Sequence, residues 1–106
     1  MSEDLAFSKN GVPIRLTSER WLHITTGHPE MADSYYDILA TIEEPDVIYQ
    51  GDQGAKISVK EVTDANKGLV VIYKETDDTD GFVITAYLTK KMQTFKTKKI
   101  IWKAQK

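Results

Sequence analysis

Apolar and polar residues alternate differently in the two parts of the chain. VPIRL (12–16) reads as a brief extended segment, and Thr17 offers a helix N-cap with Glu19 in the first turn, where the helix dipole favours an anion. Trp21, Leu22 and Ile24 continue that helix. Gly27 is a natural stop, and Pro29 disfavours helical backbone at His28. A second helix is predicted over about Glu30–Ile42, because Tyr35, Ile38, Leu39 and Ile42 fall at i, i+3, i+4 and i+7 and form one stripe. Pro45 ends it.

Beyond Pro45 the period changes to that of strands. DVIYQ is short and is followed by the turn GDQG. KISVKEVT alternates, with Ile57 and Val59, continued by Glu61, on one face and Ser58, Lys60 and Val62 on the other. DANKG (64–68) makes a turn. LVVIYKE is nearly continuous, as in a central strand. DDTDG turns again into FVITAYLT, where Phe82, Ile84, Ala86 and Leu88 are expected on the core face and Val83, Thr85, Tyr87 and Thr89 on the other. KKIIWK (98–103) reads as the final strand. Turns of this length favour an antiparallel meander. The expected fold is therefore α+β: two N-terminal helices packed on an antiparallel sheet of about four to five strands. It forms one domain over 1–106, with 1–11 as a loose lead-in.

Composition narrows the chemistry. The 106 residues suit one core. No apolar run reaches bilayer length, so no membrane partner is expected. The acidic N-terminus has no hydrophobic leader segment, and the chain has no cysteine. Disulfides, thiol nucleophiles and Cys-ligated zinc are thereby excluded, and a cytoplasmic location is the default expectation. Charge is unevenly spread. Residues 90–106 carry seven lysines and no acid, while the rest of the chain holds seven basic and sixteen acidic side chains. This end either attracts an anionic partner or forms a solvated, lysine-protected edge strand.

The densest chemistry is RWLHITTGHPE (20–30), which holds both histidines of the chain. Five residues apart on one helix would place them about 140° around the axis. They are therefore not an i, i+4 metal pair, and no functional metal or cofactor is expected. The break at Gly27 and Pro29 would let His28 fold beside His23 and Arg20. Two imidazoles in different environments suit acid–base chemistry, with Arg20 one turn away to meet a phosphate. The alternative is plain: His23 packs on the sheet, His28 precedes a helix, and Glu30 answers a helix dipole. Glycine-rich phosphate loops and the G-x-S-x-G elbow are absent.

LTSERWLHI, GHPEM, EEPDVIY, VVIYK and FVITAYLT occur in an order that resembles the phage-associated branch of the barnase–EndoU–colicin–RelE group of nuclease-like domains. The resemblance covers roughly residues 12–103. It implies helices on an antiparallel sheet and a metal-independent ribonuclease. On it, the catalytic set is Arg20, His23, His28, Glu30 and Thr85. Tyr87 and Lys74 bind substrate, and Lys96, Lys98 and Lys99 of the basic end attract the phosphates. RNA is then the partner, along with a cognate inhibitor protein if the chain is a toxin-like component. A non-catalytic RNA- or protein-binding module of the same fold is the competing expectation.

Overall fold

The computed structural model describes residues 3–62 and 67–105. Among these residues two helices pack on one seven-stranded sheet, so the α+β class holds. The expected sheet does not: it has seven strands rather than four or five, and it is mixed rather than antiparallel.

Strand β1 (Glu3–Phe7) pairs antiparallel with β2 (Pro13–Thr17). The stretch expected as a loose lead-in thus supplies an edge strand. Its pattern hid it, because Ala6 is buried while Leu5 and Phe7 stay exposed. Helix α1 (Ser18–Gly27) follows, with Thr17 as its N-cap: the Thr17 hydroxyl accepts a hydrogen bond from the Arg20 N–H at 3.1 Å. Helix α2 (Tyr35–Glu43) begins five residues later than the pattern predicts, because Pro29–Met31 forms a separate 3₁₀ turn. Ile38 and Ile42 are buried as the stripe requires.

Strands β3 (Val47–Gln50), β4 (Lys56–Val62), β5 (Lys67–Asp77) and β6 (Asp80–Thr89) form the expected meander. Most of the DANKG turn lies outside the described residues. Strand β7 (Ile100–Lys103) pairs antiparallel with β3 at the far edge. At the other end β2 lies parallel to β6 through Ile14↔Gly81 and Arg15↔Phe82. The parallel pair arises because a helical excursion and the whole meander separate the two strands, a relation invisible to turn lengths.

The sheet buries residues on both faces. The helix-side core holds Ile14, Leu16, Ile24, Met31, Ile38, Val71 and Tyr73, and a smaller cluster on the opposite face holds Ile57, Val59, Val70 and Phe95. Between them β6 departs from simple alternation. Ile72 faces Thr85 but Tyr73 faces Val83, so Ile84 is an extra residue, a β-bulge. The bulge moves Val83 onto the helix side with Ala86 and Leu88, so of the expected core set Phe82, Ile84, Ala86 and Leu88 the last two hold and Val83 replaces the first two.

Candidate functional site

The pairing of β2 with β6 stops at Phe82, and the chain then leaves the sheet through α1. The second half of β6 is therefore flanked by α1 and the 29–31 turn rather than by a strand. His28 stands at this flank. It caps α1, its N–H donating to the Ile24 carbonyl at 2.7 Å, and its backbone has left the helical region (φ −135°, ψ 78°). The turn out of the helix thus comes from His28 ahead of Pro29; Gly27 remains helical and does not adopt positive φ.

The His28 ring lies 5.6 Å from the Tyr87 ring, inclined at 31°, and its Nδ1 is 3.5 Å from Glu30 Oε2. Glu30, two residues on, can fix the ring orientation and stabilise an imidazolium. Tyr87 belongs to the cluster on the face away from the helices, as does Ile72 beside Thr85. Burial pushes the Tyr87 hydroxyl pKa up, so it stays a neutral donor near pH 7.

Tyr87 also lines a cavity of about 280 Å³ on that face, together with Asp52, Ile72, Phe95 and Lys98. Tyr49 stacks on Phe95 beside it, at 5.3 Å and 19°. Lys74 falls on the same face by alternation with Tyr73, and its Cε lies 3.8 Å from where a Cβ on Gly54 would stand. The loop carrying Asp52 is tightly wound, with Gln53 at φ 55° and Gly54 at φ 83°.

The expected residues therefore separate. His28, Glu30, Tyr87, Thr85, Lys74 and Lys98 gather on or beside one face. His23 is exposed and makes no ring contact, ion pair or side-chain hydrogen bond with a described residue. Arg20 is half-buried on α1, about 100° around the helix from Trp21, whose ring meets Tyr35 of α2 edge-on at 5.1 Å. Lys96 and Lys99 are exposed, outside the cavity lining. Asp52 and Phe95 escaped the sequence reading. Phe95 had a signal, an aromatic set between lysines, while Asp52 looked like an ordinary turn residue.

A larger cavity, about 660 Å³, opens between α2 and the ends of β4–β6. Asp37, Glu44 and Glu61 line it against one cation, Lys60, a charge sign unsuited to phosphate. Among the described residues no group of three or more His, Asp or Glu side chains could hold a metal ion, and no helix is long and apolar enough to cross a membrane. Comparisons with family models, with curated proteins and with solved structures return no match.

Proposed function

We propose that this protein is a metal-independent endoribonuclease of the nuclease group it resembles, working on the sheet face away from the helices. The observation that carries the reading is His28 held between Glu30 and Tyr87 beside a cavity that Lys98 lines. RNA cleavage by 2′-OH attack needs a group that takes the hydroxyl proton, donors for the departing 5′-oxygen, and cations on the phosphate. His28 takes the proton, with Glu30 stabilising the imidazolium. Tyr87 and Thr85 donate to the phosphate or the leaving oxygen, and Lys74 and Lys98 offset its charge. The Tyr49–Phe95 stack supplies apolar wall for a base. A cysteine-free chain suits the reducing cytoplasm, where RNA is abundant.

One observation favours the competing reading, a non-catalytic RNA- or partner-binding module: His23 stands apart, so the site gathers one imidazole rather than two. Incubation of purified protein with mixed tRNA and rRNA in EDTA, followed by end-mapping, decides between them. Discrete 2′,3′-cyclic phosphate ends, lost in His28→Ala, are the expected result. RNA that stays intact, or cleavage unchanged by His28→Ala, rejects the nuclease reading.

A further inference from the structure

A second cavity, of about 300 Å³, lies between the β1–β2 connection and strands β3, β5 and β7. Tyr73 lines it, and alternation along β5 sets Tyr73 on the opposite face from Ile72, so this space is separate from the cavity beside Tyr87. Its volume sits at the small end of the range for ligand sites, about 300–1,000 Å³.

The Tyr73 side chain is wholly buried, yet none of the hydrogen bonds among the described residues uses its hydroxyl. Buried polar groups ordinarily find partners. Tyr73 is itself part of the cavity's lining. Burial first, and the Glu75 charge second, push its pKa up, which keeps it a donor.

Of the other polar lining residues, Lys9, Lys56 and Asn10 bring donors, and Gln50 turns its Nε2 to the Gly51 and Ala55 carbonyls. Lys56 Nζ meets Glu75 Oε1 at 3.4 Å and Asn10 Nδ2 donates to the same oxygen at 3.1 Å, which positions both at the cavity. Lys9 Nζ sits 5.0 Å above the Trp102 ring and 3.7 Å from the exposed carboxylate of Glu44. No acidic residue lines the space, and Ile48 and Trp102 give it an apolar wall. Two ammonium groups, an amide and an unused hydroxyl beside an indole match one chemistry.

The geometry points to a ligand site for a small organic oxyanion, a carboxylate or phosphate monoester carried on an apolar or aromatic body. The oxyanion takes the Tyr73 hydroxyl and the Lys56 ammonium, Lys9 swings from Glu44 onto it, and the apolar body rests on Trp102 and Ile48. This site stands independently of the ribonuclease reading.

The chain has two tryptophans, so two indole N–H signals report on it in ¹H–¹⁵N spectra. Phenyl phosphate, benzoate and inorganic phosphate are titrated separately at constant ionic strength. Phenyl phosphate or benzoate, or both, should shift the Trp102 indole and the Lys9 and Asn10 amides saturably, and leave Trp21 in place. The stronger of the two identifies the head group. Tyr73→Phe and Lys56→Met should each weaken binding about tenfold, while His28→Ala leaves it unchanged. Melting curves confirm that each variant is folded. Absence of a saturable shift with either aromatic probe overturns the proposal. So does equal binding by folded Tyr73→Phe and Lys56→Met, or binding of inorganic phosphate as tight as that of phenyl phosphate.

Discussion

His28 and Tyr87 bring their rings to 5.6 Å at the flank of β6 where β2 no longer pairs, joining the end of α1 to the sheet face away from the helices. His23, five residues earlier, is exposed on the helix. The two histidines should therefore differ in effect. A general acid–base group contributes about 10²–10⁴-fold to rate. His28→Ala should lower RNA cleavage by about 10²-fold or more, and His23→Ala by far less. Single-turnover rates on a defined oligoribonucleotide check this, and equal losses would place the chemistry elsewhere.

The same contrast applies along the basic end. Lys98 is half-buried and lines the cavity beside Tyr87, whereas Lys96 and Lys99 are exposed and do not. Lys98→Glu should weaken RNA binding more than Lys96→Glu at low salt. It should also reduce the slope of log K against log salt by roughly 0.7–0.9 for each lost phosphate contact. Filter-binding series at several salt concentrations measure both. Indistinguishable slopes for the two variants would make these lysines a solubilising edge.

Local signals in the chain were dependable where the relevant partners are near in sequence. Thr17 caps α1, the Ile38–Ile42 stripe is buried, and the meander from β3 to β6 follows its turns. What the sequence hid is non-local. Strand β1 buries only Ala6 among its apolar residues, so it carried too little alternation to read. The parallel contact of β2 with β6 spans most of the chain. The Ile84 bulge reverses the face of Val83 with no glycine to announce it. In the site, the meeting of His28 with Tyr87 depends on where β2 ends, and the Asp52 loop reaches the cavity only through the pairing of β3 with β4.

Glu75 ties the β1–β2 connection to the sheet. Its carboxylate accepts from the Ser8 hydroxyl and Asn10 Nδ2 and pairs with Lys56 at 3.4 Å. Burial alone would raise its pKa, but the Ser8 and Asn10 bonds and the Lys56 charge outweigh it and hold the group below its ordinary 4.5. A carboxylate depressed on folding adds stability that is present above the unfolded-state pKa and lost as pH falls through the folded-state value. Glu75→Gln should therefore cost about 1–2 kcal/mol near neutrality. Below about pH 4 its denaturation curve should approach the wild type's. Urea melts at several pH values test this, and a constant gap down to pH 3 would remove the charge from the explanation.

Two buried glycines should respond unequally to one methyl group. A Cβ on Gly81 would lie 2.6 Å from the Lys74 carbonyl oxygen and 2.6 Å from Ile14 Cδ1. The first is backbone within the β5–β6 ladder, and the second belongs to a fully buried side chain at the junction of β2 with β6. Neither can yield without moving the sheet. At Gly68 the closest clash is with Met92 Sδ, the far end of a flexible side chain on the 92–95 turn. Met92 has rotamers to spare, so that contact relaxes at lower cost. Overpacking of a well-filled core costs about 1–3 kcal/mol. Gly81→Ala should fall at or above the top of that range and Gly68→Ala near the bottom. Because Gly81 abuts β2, its variant should also loosen the parallel pairing, seen as faster amide exchange at Ile14 and Arg15. Equal destabilisation of the two variants, or unchanged exchange at Ile14 in Gly81→Ala, would show that the parallel contact is not what makes Gly81 necessary.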